Sequence, residues 1–339
     1  MTNIFRGKKI LVAGGTGLVG QQLVPKLINL GGKVFVASLD DKSLVSDKIE
    51  DFYNLDLMNL DNCIKVTNDK KIVFNLLGVT GSPKINVEKP ASFMMSNIYC
   101  AINLLMAAQI SKVKKYLYTS TYGVYGHSPI MKEDDVWKTF PSENDKFAGW
   151  AKRIGELQIE AFKIEYNFES LHIVRPANIY GPYANFDPKN SMVIPSLIRR
   201  VIEGENPLIV WGNGTAVRDF IFSADVAEAM IQVMQKKIEK PINIGSGTGI
   251  SIKTLVNTLL SSVLIKKKPK VIFDKTKPTG DKKRILDTSL AKGHGITNKV
   301  SLKEGLDKTI NWYLNNRSLT HKRFNYFKKN KKFNCKKLI

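Results

Sequence analysis

One stretch near the start restricts what this chain can become. Lys9–Ala13 (KILVA) reads as a short buried strand, and Gly14-Gly15-Thr16-Gly17-Leu18-Val19-Gly20 follows it without a spacer. A helical pattern then runs to about Leu30 and closes at Gly31-Gly32. Glycines at 14, 17 and 20, opening a helix straight after a strand, let the backbone approach a pyrophosphate closely. The helix N-terminus offers that anion unpaired N–H groups. A bare strand-to-helix turn is the alternative, but the strand before and the helix after favour a dinucleotide site on Gly14, Thr16, Gly17, Leu18 and Gly20.

The rest of the first half repeats the alternation. Val34–Leu39, Ile72–Leu77, Lys115–Ser120 and Leu171–Arg175 read as strands, and Ala91–Ile110 and Asn144–Tyr166 as helices. That pattern predicts an α/β fold, a doubly wound parallel sheet covered on both faces. The second half is broken by Pro182, Pro188, Pro195 and Pro207 and by the Gly212–Gly214 turn, and a helix from about Ser301 to Asn315 ends the body. The expected organisation is a dinucleotide-binding domain over 1–180, with 206–248 returning to it. A small substrate lobe takes 181–205 and 249–315, and 316–339 forms a basic, poorly ordered tail.

Charge asks for a different partner. The 339 residues carry 52 Lys+Arg against 30 Asp+Glu, a net charge of +22, which raises nucleic acid as a ligand. However, ten of the basic residues and no acid lie between Lys308 and Ile339, and Lys outnumbers Arg 43 to 9. Phosphate and guanine readers favour the planar fork of Arg. The balance therefore reads as solvated surface plus a tail, with nucleic-acid binding through the tail kept as a rival. No run of 18 apolar residues exists, so no membrane-spanning helix is expected. Cys63, Cys100 and Cys335 form neither a disulfide framework nor a metal-ligand spacing, and the four histidines show no metal pattern. With an N-terminus that does not read as a signal peptide, this fits a cytoplasmic protein without a metal.

An acidic residue for the adenosine ribose should follow the second strand, and Asp40 and Asp41 lie about 20 residues past the last glycine. With no Arg nearby in sequence to hold a 2′-phosphate, NAD is expected over NADP. Asp56-Leu57, after a third short strand, is a second adenine-side candidate, with a helix cap or turn aspartate as the plainer reading.

Five segments, in order, resemble the extended short-chain dehydrogenases/reductases (the NAD-dependent epimerase/dehydratase family) that act on nucleotide sugars. They are the glycine loop, Asn75-Leu76-Leu77-Gly78, Ser120-Thr121-Tyr122-Gly123-Val124-Tyr125-Gly126, Arg175-Pro176-Ala177-Asn178-Ile179-Tyr180-Gly181-Pro182, and Trp211-Gly212-Asn213-Gly214-Thr215 followed by Arg218-Asp219. The similarity spans roughly residues 8–315. Within the family, GDP-L-fucose synthases look nearest, from the 181–200 and 210–218 stretches and from Lys277-Pro278-Thr279-Gly280 leading to Asp287; UDP-galactose 4-epimerases share the frame less closely. The resemblance implies cofactor contacts from Leu76, Leu77, Gly78, Pro176 and Asn178, and a homodimer formed through the helices Ala91–Ile110 and Asn144–Tyr166.

It also implies a reaction. The family pairs a Ser/Thr with a Tyr-x-x-x-Lys on the following long helix. The Tyr moves the proton as hydride moves to or from the sugar carbon, the Lys lowers the phenol's pKa and bonds the nicotinamide ribose, and the hydroxyl orients the sugar oxygen. Thr121 and Lys152 match. The residue four before Lys152 is Ala148, and Phe147 beside it has no hydroxyl. The Cys/His pair of the GDP-L-fucose synthases is also replaced, by Gly123 and Tyr183. Tyr122, Tyr125, Tyr183 or Thr121 itself would have to replace the phenol. Otherwise the enzyme runs slowly, or the chain binds without turnover. For the substrate, Arg218 is expected to clamp the diphosphate, with Asn178, Val193, Arg200, Trp211, Thr121 and Lys283 as further contacts.

The expected function is hydride transfer at a ring carbon, C4, of a nucleoside-diphosphate sugar, with GDP favoured. A UDP-sugar 4-epimerase-like enzyme and a catalytically impaired nucleotide-sugar/NAD-binding protein are the alternatives.

Overall fold

The computed structural model describes residues 3–79, 88–168, 170–277, 279–324 and 326–327. Seven parallel strands form the central sheet. Their spatial order is Ile242–Ile244, Leu171–Pro176, Lys115–Thr119, Ile72–Asn75, Lys9–Ala13, Lys33–Ala37, Asp51–Tyr53. The inner strands are apolar along their length because both faces are covered: Ile72–Asn75 and Leu171–Pro176 are buried at every position. On one face Leu23, Leu27, Met230 and Met234 come from the helices Gly20–Asn29 and Ser223–Lys236. On the other, Val66, Leu104, Leu105 and Ile159 come from Leu60–Thr67, Pro90–Ile110 and Lys146–Tyr166.

Lys9–Ala13 lies between Lys33–Ala37 and Ile72–Asn75, so the winding reverses there. In such sheets the reversal opens a crevice at the carboxyl ends of the strands, and the glycine loop leaves the sheet at that crevice.

Beyond the sheet, Val217–Phe222 organises a smaller one, pairing with Asn178–Tyr180, Gly249–Ser251 and Lys283–Leu286; the last pairs with Ile130–Met131. Leu208–Trp211 pairs with Val271–Asp274. A third core of Phe186, Leu197, Leu208, Phe220, Leu255, Leu306 and Ile310 joins these pieces to the helices Val193–Ile202, Ile252–Leu260 and Leu302–Asn315.

Three sequence expectations change. The long helix starts at Lys146, two residues later than read, because Glu143–Asp145 winds first as a 3-10 turn. Pro90–Ile110 is, by length and composition, apolar enough to cross a membrane, and half of its most apolar window is buried within the fold. The start of the tail is also structured: Arg317–Lys322 forms a 3-10 turn, and the residues after it reach the sheet's crevice. Residues 325 and 328–339 of the tail, and Pro278, lie outside the described residues.

Candidate active site

The glycine loop is built with no slack. Gly14 has a φ of 83°, and a Cβ on Gly20 would lie 2.5 Å from the Gly15 carbonyl, so neither position admits a side chain without moving the loop. A Cβ on Gly17, by contrast, would meet only the Gly14 carbonyl oxygen, leaving the loop's outer side open. Thr16 is buried and its hydroxyl donates to Asp40 Oδ2 at 2.7 Å, with Ser38 Oγ 2.6 Å away. The acid predicted for the ribose is therefore tied to the loop predicted for the pyrophosphate.

Asp56 and Leu57 take other tasks. Asp56 Oδ1 accepts from the Met58 amide at 3.1 Å, closing a turn, and Leu57 is buried in the core with its carbonyl accepting from Cys63. Across the crevice, Leu76 approaches Gly14, and the Asn75 side chain orders the loop by accepting from the Leu77 amide at 3.0 Å.

Lys152 forms the second fixed point. Its ammonium donates to the carbonyls of Leu77 (3.0 Å) and Thr119 (2.8 Å), and a Cβ on Gly78 would lie 3.7 Å from Nζ. Burial pulls its pKa down to about 8. The helix comes this close because Gly149 packs on the turn Tyr122–Val124: a Cβ there would collide with the Gly123 carbonyl oxygen. Arg153, one residue on, donates twice to the Val124 carbonyl. Glu156 forms a bidentate pair with Arg175, at 2.7 and 3.0 Å, with both side chains about 2% exposed. A glycine cradle, a tethered acid and a lysine beside Gly78 fit a dinucleotide laid across the crevice.

The hydroxyls offered as replacements for the phenol separate clearly. Thr121 caps the Tyr122–Val124 turn, its Oγ1 accepting from the Gly123 amide at 3.2 Å, which leaves its own proton to donate elsewhere. Tyr122 donates to Asn178 Oδ1 at 2.9 Å, and burial pushes its pKa up to about 12. Tyr125 is structural: its hydroxyl donates to Asn243 and accepts from Arg175. Tyr183, at φ 65°, packs its ring against Trp312 with centroids 4.8 Å apart and the planes tilted by 49°. Ala148 is half-buried beside Gly149 and Phe147.

On the substrate side, Asn178 also donates to the Asp219 carbonyl at 2.9 Å. Arg218 makes no ion pair with Asp219 or Asp225. Its guanidinium braces the loop at 279–281 through the carbonyls of Thr279 (3.2 Å) and Asp281 (2.6 Å). Trp211 is exposed at the end of its strand, Val193 begins its helix, Pro176 ends a buried strand, and Lys283 is exposed. Arg200 departs from expectation. Its guanidinium is committed to Glu205 and the Ile209 carbonyl, while Arg199 pairs with Glu203, so neither is available as a clamp in this arrangement.

Sequence reasoning missed a carboxylate. Gly123 packs closely against it: a Cβ there would lie 3.4 Å from the Asp145 carboxyl carbon and 3.3 Å from the Thr121 methyl, tight enough that a neighbour would have to shift. Asp145 is held by Arg284, which also lies 4.6 Å over the Tyr122 ring, donates to the Tyr122 carbonyl and faces Asp281 at 3.4 Å. The long helix begins at the next residue, and that boundary was the only local signal for Asp145.

Arg323 was also out of reach of any local pattern. The fold brings it into the crevice near Asp40, where it donates to the carbonyls of Thr16 (3.3 Å) and Tyr183. Burial holds its pKa below the usual arginine range against the pull of Asp40. The statement that no arginine lies near the ribose acid therefore holds only in sequence.

Fold and crevice define a dinucleotide-dependent enzyme of the extended short-chain dehydrogenase/reductase kind. The chain belongs to the NAD dependent epimerase/dehydratase family, whose pattern matches residues 10–245. It is 30% identical over 320 residues to a putative GDP-L-fucose synthase 2 of Arabidopsis thaliana, covering 92% of this chain and 93% of that one. It is 28% identical to the GDP-L-fucose synthase of Escherichia coli K12, covering 91% and 97%. Among solved structures, UDP-glucose 4-epimerase of Thermotoga maritima superposes with a TM-score of 0.80 at 28% identity, over 92% of this chain and 99% of that one. The cofactor is NAD or NADP, and the activity is that of a nucleotide-sugar oxidoreductase or epimerase.

Proposed function

We propose that this enzyme moves hydride at C4 of the sugar ring of a nucleoside diphosphate sugar, with GDP as the favoured nucleoside diphosphate. The observation that carries this reading is the anchored Lys152, held between the Leu77 and Thr119 carbonyls beside the turn that presents Thr121. When bound, the nicotinamide cofactor supplies the hydride acceptor or donor.

The chain's residues do the rest. Thr121 orients the sugar oxygen with the proton its cap leaves unused. Lys152, with its pKa near 8, holds its ammonium on the Thr119 carbonyl, two residues before Thr121, and can lend a proton there. Tyr122 is a phenol able to donate, once it releases Asn178, with Tyr183 as the other; at a pKa near 12 Tyr122 is a donor and a poor base. Arg218 holds the loop at 279–281 in place for the diphosphate.

The test is turnover of GDP-, UDP-, dTDP- and CDP-sugars by the full chain, with NAD(H) and NADP(H), followed by nicotinamide absorbance and by sugar product analysis. Turnover with a GDP-sugar supports the proposal; turnover with UDP-sugars alone supports a UDP-sugar 4-epimerase-like enzyme. Cofactor and nucleotide-sugar binding without turnover supports the second reading, an impaired binding protein, which Ala148 favours. Salt-sensitive nucleic-acid binding lost on cutting after Asn315 would revive the tail as a nucleic-acid element.

We expect a homodimer through the faces that expose Ile110, Leu157 and Ile164. Sedimentation showing only a 38.1 kDa species at micromolar concentration would refute it.

A further inference from the structure

The described part of the tail follows the strand ends of the cofactor crevice one after another. Arg323 donates to the Thr16 carbonyl in the loop after the first strand. The Phe324 amide donates to Asp40 Oδ1 at 2.7 Å after the second strand. The Tyr326 hydroxyl lies 3.8 Å from Met58 Sδ, after the third. Phe327 then stacks on Phe93 at 6.5 Å with the rings 9° from parallel, and its carbonyl accepts from Lys89 at 3.2 Å.

These contacts imitate a ligand. A main-chain N–H on a carboxylate oxygen occupies the same acceptor that a ribose hydroxyl needs, and Thr16 already holds the other oxygen of Asp40. A guanidinium rests on the glycine loop, and the aromatic side chain of Tyr326 lies beyond it against Met58. Packing under the turn that precedes these contacts is incomplete. A cavity of about 280 Å³ lined by Gln21, Pro25, Leu44, Tyr183 and Leu319 remains against the turn Arg317–Lys322. The strap lies outside residues 10–245, the part that matches the family.

We propose that residues 317–324 with 326–327 form an intramolecular competitor that covers the adenosine half of the cofactor crevice and must leave before a dinucleotide can bind there. This rests on the crevice being the cofactor site. A strap that closes the crevice most of the time lowers apparent affinity by the fraction of molecules that are open. Loosening it therefore tightens cofactor binding without adding any contact to the cofactor.

The experiment compares the full chain with its Arg323→Ala/Tyr326→Ala variant, in titrations with NADH, NADPH and ADP-ribose. An apparent Kd lower in the variant by about tenfold for NADH and ADP-ribose is expected, for a strap that is open in roughly a tenth of molecules. In the unaltered chain, saturating NADH should raise amide exchange across 317–324, since the Phe324 amide loses Asp40. Equal or weaker NADH binding by the variant, or unchanged exchange, overturns the competitor and makes the strap a bystander or part of the binding surface. Failure of either chain to bind any dinucleotide overturns the cofactor reading itself and the strap with it. Those outcomes are distinguishable because none of the readouts requires turnover.

Discussion

The two ends of the crevice are built from different materials. At the adenosine end, Thr16, Ser38 and Asp40 form a connected set of hydrogen bonds over a loop whose shape is set by backbone contacts at Gly14 and Gly20. At the reacting end, the frame is equally firm, with Gly149, Arg153 and the Glu156–Arg175 pair holding the long helix against the strand turn. The chemistry proposed there, however, rests on single side chains, and two positions offer none: Ala148 carries no phenol, and Gly123 packs without a side chain against Asp145. Recognition made by backbone resists substitution because it depends on many residues' geometry. A proton-transfer group can disappear while the scaffold around it stays whole.

The sharpest way to break this contrast is to restore the missing group. Ala148→Tyr should raise turnover on the order of 10²–10⁴, the usual contribution of a positioned acid or base, with little change in thermal stability. If steady-state assays show no gain, the corner has been rebuilt around another group and the frame is less intact than its contacts suggest. Next, Glu156→Gln leaves Arg175 charged and buried, at a cost of about 3–5 kcal/mol in unfolding free energy. Chemical denaturation showing under about 1 kcal/mol would mean that the pair does not hold the corner.

At the other end, Asp40→Asn in an Arg323→Ala background should weaken NAD(H) binding by about 1.5–3 kcal/mol and NADP(H) binding by less. Equal losses by calorimetry would remove Asp40 from ribose recognition. The smallest effect is a pH limb. If protonated Lys152 is required, its lowered pKa means that activity is full below about pH 8 and falls roughly tenfold per unit above it. A profile flat to pH 10 would place its role in structure alone.

How much of this was readable depended on the distance between partners in the chain. The glycine loop, the strands and Lys152 were legible because each signal lies within a few residues or one helical repeat. Asp40 was legible through its strand, but not its tether to Thr16 or its contact with Phe324, 284 residues away. Arg200 looked like a clamp because Glu205 and the Ile209 carbonyl, which absorb it, announce themselves only once the next strand folds back. Asp145 was hidden by sitting in the turn before a helix, where an acid is ordinary; only its position opposite a glycine gives it meaning.

The tightness of the glycine loop has a kinetic consequence. A loop whose turn is fixed by Gly14 and by the close packing of Gly20 on Gly15 has less conformational entropy to lose when something settles on it than a loosely packed one. Whichever occupant sits there meets a finished surface. The time to exchange one for another is then governed by departure rather than by rearrangement of the pocket, and at high dinucleotide concentration the observed binding rate should level off at the strap's own opening rate.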